Sequence, residues 1–445
     1  MKKYELIIEH IEKLVKINQL QQGKRLPSIR EMANSFKCNK STVIRAYKEL
    51  EMNHKIYSIP KSGYYLVGKN QSDESKYQYI NFSQVMPDPK LLPYREFTHC
   101  INRAVELYKG NLFSYSDTQG LESLRKVLVD HFIEHQIFTT KERIFITTGS
   151  QQALSILSKM PFPNGKRNIL VEQPTYSLIH DLVKINGDRL VGIDRDYKGI
   201  DFNELERIFM KEDIKFFYTI PRFHNPLGTN YSEKDKKKIL ELAEKYDVYI
   251  VEDDYLGDID INKKNLPIFY YDIFDKTIYV KSFSKAFMPG IRIGALVLHN
   301  KLKDEFLRHK RYYDLSTSVL SQGALEIFIN SGMYNNHARK VRLEYKKKMN
   351  CLKESLRNVD TSELEFFVPE TGFFLWIRLP ERININMLVK RLEEKNIYIE
   401  PAKKFFIDNH CSENSLRLCI SKLTFKEIKI GIRILIGEIN QMNFF

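Results

Sequence analysis

From about residue 80 onward the chain alternates short β-like runs with helical stretches, and this alternation narrows its fold more than any other feature. The runs are Ile144–Thr147, Ile169–Glu172, Phe216–Ile220, Val248–Glu252, Thr277–Val280 and Ala295–Leu298. Strands that alternate with helices build a sheet covered on both faces, so the pattern predicts an α/β body. After about residue 330 the rhythm changes. A long charged helical stretch (Ala338–Leu356) leads into a β-like run (Gly372–Leu379) and further helices, which suits a smaller α+β unit. A chain of 445 residues has room for two or three domains. Its 43% apolar and 12% aromatic content supports a large core. No internal repeat is visible.

The first 70 residues differ from the rest. They hold 14 Lys and Arg against 6 Asp and Glu, whereas the remaining 375 hold 56 against 50. More than half of the net charge of +14 therefore sits in under a sixth of the chain. A compact basic module favours a polyanion partner, nucleic acid above all; charge alone leaves a solvated lysine-rich surface equally open. Tyr4, Ile7, Ile8, Ile11, Leu14 and Val15 recur at helical spacing. Ser28 and Glu31 form a capping box ahead of the stripe Ile29, Met32, Ala33 and Phe36. Asn39 is the expected cap of a third helix whose Val43, Ala46, Tyr47 and Leu50 face inward. Ile56–Ile59 and Tyr64–Val67, joined by Pro60-Lys61-Ser62-Gly63, read as a hairpin. Three helices and a hairpin make a winged helix-turn-helix. In that motif the first turn of the second helix meets base edges, here Lys40, Ser41, Thr42 and Arg45, while Arg30 and the wing-tip Lys61 are placed for phosphates. Residues 69–79 are polar and aperiodic, a short linker.

No run approaches the roughly 18 apolar residues that a membrane span needs. The N-terminus lacks the pattern of a signal peptide. Cys38, Cys100, Cys351, Cys411 and Cys419 form no CxxC pair, so they are expected as reduced thiols of a cytoplasmic protein, with no metal site.

The segment Ser282-Phe283-Ser284-Lys285-Ala286-Phe287-Met288-Pro289-Gly290-Ile291-Arg292 carries the chemistry. A lysine on a Ser-rich turn after a β-like run, with an arginine seven residues on, suits a Schiff-base lysine whose neighbours hold a phosphate. It points to pyridoxal 5′-phosphate (PLP).

The stretch GKRLPSIREMANSFKCNKSTVIRAYKELE, with its Leu-Pro-Ser-x-Arg core containing Ser28 and Arg30, resembles the GntR family of bacterial regulators over about residues 4–68. It departs at Asn39-Lys40, where the family often has Ser-Arg, and at Asn53-His54, where a glycine often follows the helix. Residues 80–445 resemble fold-type I aminotransferases, with a large part at about 110–325 and a small part at about 80–109 plus 330–445. The resemblance implies a role for each matching residue. Ser150 and Gln151 belong to the phosphate cup, and Tyr176 stacks on the pyridine ring. Asn225 and Tyr255 reach the ring's 3-oxygen, and Asp253 faces its nitrogen. Lys285 forms the Schiff base, and Ser282, Ser284 and Arg292 hold the phosphate. Arg417 grips a substrate carboxylate, and Tyr115 reaches the phosphate of a partner subunit, which implies a homodimer. Val85 stands where many members have glycine, and its branched side chain is expected to crowd an amino-acid substrate.

A GntR-type winged helix joined to such a body resembles the MocR subfamily. The resemblance implies a DNA-binding transcription regulator that senses PLP or an amine or amino-acid effector at an operator. Two alternatives remain. One is a working aminotransferase that carries a DNA-binding domain. The other is a body serving only as a dimerisation scaffold.

Overall fold

The computed structural model of the protein describes residues 3–16, 24–53, 55–59, 62–66, 79–407 and 414–442. Lys61, His54, Cys411 and all of the expected linker except Tyr79 lie outside them. The chain divides into two compact units, Met1–Gln78 and Tyr79–Phe445.

In the first unit, helices Lys3–Lys16, Ile29–Ser35 and Lys40–Met52 precede an antiparallel hairpin of Ile56–Ile59 and Gly63–Leu66. Ile7, Ile11, Met32, Ala33, Val43, Ala46, Tyr47 and Leu50 form its core with Leu26, Ile56 and Leu66. The Ile, Leu, Met and Val side chains among them each stabilise the unit by roughly 1.5–3 kcal/mol when fully buried. Tyr47 is buried because its hydroxyl donates to the Pro27 carbonyl at 2.7 Å. The Ser28–Glu31 capping box forms: Glu31 N–H donates to Ser28 Oγ, and Ser28 N–H donates to Glu31 Oε2 at 2.7 Å. Asn39 occupies the N-cap of the third helix with extended backbone, but its side chain makes no capping bond. The helix end at Asn53 has φ −85°, so no left-handed residue is needed there.

The second unit is built on an eight-stranded mixed sheet. Its spatial order is Ile144–Thr147, Gly294–Val297, Thr277–Ser282, Tyr249–Asp254, Ile214–Thr219, Asn168–Gln173, Leu190–Asp196 and Gly199–Ile200. Five adjacent strands, from Thr277–Ser282 to Leu190–Asp196, run parallel. Most are buried along their whole length, which explains their continuous apolar runs. A second sheet of Glu365–Phe367, Phe374–Arg378, Ser415–Cys419 and Glu400–Pro401 is antiparallel. Its core includes side chains of helices Met333–Arg357, Ile385–Glu394 and Phe425–Met442. Ile80–Asn81 pairs with Ile397–Tyr398 beside it. The segment 80–109, expected with the small part, is divided between the two cores. Phe82 packs in the small core, whereas Phe97, Cys100 and Ala104 of helix Tyr94–Tyr108 pack with Ile144 and Tyr279 of the large sheet. The apolar stripe of that helix packs chiefly against helix Val319–Asn330, whose Ala324, Leu325 and Phe328 share the same core.

Candidate functional site

Parallel sheets bind ligands beyond the carboxyl ends of their strands, and the candidate residues gather there. Asp253 lies in the last two residues of Tyr249–Asp254, and Ser282 ends Thr277–Ser282. Ser150 opens helix Ser150–Lys159 just after Ile144–Thr147. Together with Tyr176, Asn225, Tyr255, Lys285 and Arg417 they line one cavity of about 310 Å³. Val85 lines it too. Gln151, Ser284 and Arg292 are not part of that lining but lie against it. Gln151 Nε2 donates to the Tyr176 hydroxyl at 3.1 Å, and Ser284 N–H donates to Ser282 Oγ at 3.3 Å. Arg292 Nη2 donates to the Thr148 carbonyl at 3.4 Å. Tyr115 is 82% exposed and is not part of the lining.

Strand alternation sorts the two neighbouring aspartates. Asp254 turns to Arg222 and Tyr279. Asp253 turns to the cavity, where its Oδ2 accepts from the Tyr218 hydroxyl at 2.9 Å. Asp253 Oδ1 is buried without a hydrogen-bond partner. Burial pushes this carboxyl up to about 7, against the pull of Tyr218. Lys285 Nζ donates to the Val85 carbonyl at 2.8 Å. Burial holds its amine below the usual lysine range, aided by the charges of Arg417 and Arg292, which favours the neutral, nucleophilic form.

Arg417 lies on Ser415–Cys419, with Nη2 donating to the Ser83 carbonyl at 2.7 Å. Its Nη1 donates to Asn225 Oδ1 at 3.4 Å. That bond fixes the Asn225 amide so that its Nδ2 is the end left to donate. The guanidinium also lies 4.8 Å from the centre of the Phe405 ring, and Nε is buried without a partner. Tyr255 donates its hydroxyl proton to the Phe223 carbonyl at 2.6 Å.

At the head of helix Ser150–Lys159 no side chain caps the first turn, which leaves its N–H groups available to an anion. The preceding residue must be glycine. Gly149 has φ +80°, and a Cβ there would lie 2.7 Å from Arg292 Nη2. The guanidinium can approach that helix start only because the side chain is missing.

Behind the cavity a buried cluster holds the strands in place. Glu172 Oε1 accepts from Arg195, Thr219 and Tyr231, each at 2.6 Å, and Oε2 lies 3.0 Å from His224 Nε2. Burial alone would raise this carboxyl; Arg195 and His224 outweigh it and hold it far below the ordinary range. His224 precedes Asn225, so the cluster also sets the backbone that aims Asn225. Neither Glu172 nor Tyr218 is apparent as a site residue in the sequence. The available signal is a tyrosine inside the wholly buried run Ile214–Thr219, whose hydroxyl needs a buried partner.

A larger cleft of about 680 Å³ brings Lys184 and Lys403 beside Asp181 and Asp188. This mixture of charges selects no single ligand.

On the first unit Arg30, Lys40, Ser41 and Arg45 are exposed and Thr42 is half-buried. The Arg45 guanidinium lies 4.2 Å from the centre of the Tyr4 ring, which restrains it. Ser28 is engaged as a cap.

Residues 87–435 match the family "Aminotransferase class I and II", and residues 3–66 match "Bacterial regulatory proteins, gntR family". The chain is 42% identical over 444 residues to the uncharacterized HTH-type transcriptional regulator YcxD of Bacillus subtilis, covering 99% of this chain and 100% of that one. It is 26% identical to the HTH-type transcriptional regulator NorG of Staphylococcus aureus, over 91% of this chain and 97% of the other. Among solved structures it is similar to LysN, the alpha-aminoadipate aminotransferase of Thermus thermophilus, complexed with N-(5'-phosphopyridoxyl)-L-leucine. The TM-score is 0.75 at 27% identity, covering 82% of this chain and 93% of the other. The chain therefore belongs to the PLP-dependent aminotransferase class I and II family and, with its N-terminal gntR-family domain, to the MocR type of GntR regulators.

Proposed function

We propose that the protein is a cytoplasmic, DNA-binding transcription regulator whose body reads PLP, or an amine or amino acid that reacts with PLP, through Lys285. The observation that carries this reading is the unpartnered Oδ1 of Asp253, facing the same cavity as Lys285. A buried carboxylate oxygen without a donor is costly. A protonated pyridine nitrogen supplies both the hydrogen bond and the opposing charge.

The residues present fit PLP on chemical grounds. The bare helix start at Ser150, with Ser282, Ser284, Gln151 and Arg292, would hold the phosphate. Tyr176 would cover the ring, while Asn225 Nδ2 and Tyr255 would face its 3-oxygen. Tyr115 would come from a partner subunit of a homodimer. When bound, PLP supplies an aldehyde to Lys285 and a conjugated ring that withdraws electrons from a carbon attached to it. Lys285, its amine held below the usual lysine range by burial, would be the nucleophile and the base. Asp253 keeps a proton on the ring nitrogen. Arg417 pairs with an effector carboxylate, using a guanidinium already flattened against Phe405. The branched Val85 side chain beside these groups slows turnover, so binding exceeds catalysis. Arg30, Lys40, Ser41, Thr42 and Arg45 meet the operator.

The test couples both activities. Purified protein is incubated with PLP, reduced with borohydride and mapped by mass spectrometry, with operator binding measured before and after candidate amines are added. A PLP adduct on Lys285, absent in Lys285→Ala, together with an amine-dependent change in DNA affinity, is expected. Rapid multiple turnover with an amino donor and a 2-oxo acid, without any effect on DNA binding, would overturn the regulator reading.

A further inference from the structure

Apart from the cavity, one cluster of ligand-type side chains stands out among the described residues. His131 and His135 lie four residues apart on helix Glu122–Glu134 and the residue that follows it, so they share a helix face. Asp258 comes from the turn Gly257–Ile259, just beyond strand Tyr249–Asp254. Asp258 Oδ1 lies 3.3 Å from His135 Nε2 and 4.0 Å from His131 Nε2. All three ligand atoms fall within 4.8 Å of one another.

These atoms converge without satisfying one another. His131 Nε2 and Asp258 Oδ1 are buried and have no hydrogen-bond partner. The side chains of His131 and Asp258 are 1% and 0% exposed. Two orphaned polar atoms facing each other in a protein interior lose roughly 1–3 kcal/mol each. The other carboxylate oxygen is fully occupied: Oδ2 is 2.7 Å from Lys281 Nζ and accepts from the Tyr334 hydroxyl at 3.1 Å. Lys281 and Tyr334 thus orient Asp258 from behind, as outer partners orient ligating carboxylates.

We propose that His131, His135 and Asp258 form a binding site for a divalent transition-metal cation such as Zn²⁺, separate from the PLP cavity. Two imidazoles and one carboxylate are a donor set that zinc accepts, with a fourth position open to water. Ligands in a tetrahedral zinc site lie roughly 3.3 Å apart, since each bond is about 2.0–2.1 Å. The His135–Asp258 separation of 3.3 Å already matches, the His131–Asp258 separation of 4.0 Å needs a small closure, and the two imidazoles, within 4.8 Å of each other, must draw together around the ion. His135, 16% exposed, provides the way in. Both histidines are held neutral by burial, in the protonation state that ligates a metal. The ion pair with Lys281 leaves Oδ1 free, so it supports the site rather than filling it.

The experiment uses the full chain. Protein stripped with a chelator is dialysed against Zn²⁺, and bound metal and melting temperature are measured. One equivalent per chain and a raised melting temperature are expected in wild type, since a cation that binds only the folded state stabilises it. The His131→Gln, His135→Gln double variant should lose both effects. Cobalt replacing zinc should show visible absorption in wild type alone. If the double variant does not melt cooperatively, His135→Gln at the rim takes its place, with at least tenfold weaker binding expected. Wild type that retains no zinc, or a variant that melts cooperatively and binds as much, would overturn the proposal.

Discussion

The two units of this protein handle charge in opposite ways. Among the described residues of the first unit, the buried side chains are all apolar, and Arg30, Lys40 and Arg45 stand at the surface. The second unit buries Glu172, Arg195, Arg222, Asp253, Asp254, Asp258 and Lys281. A surface for DNA must keep its cations hydrated until phosphates displace their counterions. A site for a small charged cofactor must hold its groups dry, where each interaction is stronger and each unpaired group more costly. The first unit is therefore stabilised chiefly by its apolar core, with the Ser28–Glu31 cap and the Tyr47 hydroxyl adding hydrogen bonds. The second keeps some stability in reserve for its ligand.

This contrast can be broken at several places. Glu172→Gln should have the largest effect, destabilising the body by about 3–5 kcal/mol because Arg195 is left buried and unpaired. The sign with pH follows. A carboxyl held far below its ordinary value adds stability above about pH 4.5, and that stability is lost as pH falls. Chemical denaturation at several pH values should show this acid-side loss in wild type and not in the variant.

Asp253→Asn should weaken PLP binding by about ten- to a hundredfold, the range for a hydrogen bond to a charged group. It should also stabilise the protein free of PLP. With a folded value of about 7 against an ordinary 3.8, Asp253 makes stability fall as pH rises from about 4 to 7. The variant should lack that slope in thermal melts. A ligand-free variant no more stable than wild type near pH 8 would show that the carboxylate is not held in reserve.

In the first unit, Lys40→Ala with Arg45→Ala should lower operator affinity by about 1–3 kcal/mol for each base-reading side chain removed, and flatten the salt dependence. It should leave PLP uptake unchanged. Fluorescence anisotropy over a salt series separates the two effects. Because Arg45 rests on Tyr4, its share should be the smaller. Ser28→Ala, which removes only a cap, should cost about 1 kcal/mol of stability in the first unit.

Much of this was legible in residue order. Helical periodicity located all three helices of the first unit, and apolar runs located four of the five parallel strands to within two residues; Leu190–Asp196, only partly buried, gave no such run. Both signals are local. The Lys285 turn and its companions were legible as motifs beside strand ends, and the structure brings eight of them to one cavity. What was not legible depends on distant partners. Tyr218 matters through Asp253, and Glu172 through Arg195, Thr219, Tyr231 and His224. His131 and His135 read as ordinary helix residues until Asp258 arrives from more than a hundred positions away. Asn39 misled because residue type and position suit a cap, while the side chain's rotamer decides.

Lys285 and Arg417 tie down the same short peptide, one through the Val85 carbonyl and the other through that of Ser83. Of the segments that reach the cavity, this peptide stands nearest in chain order to the winged helix. A group that bonds to Lys285 Nζ would compete with the Val85 carbonyl, and a carboxylate that reaches Arg417 would compete with the Ser83 carbonyl. The backbone at Ser83–Val85 is thus held by the same two cations that line the cavity, so a ligand that engages either cation would loosen it.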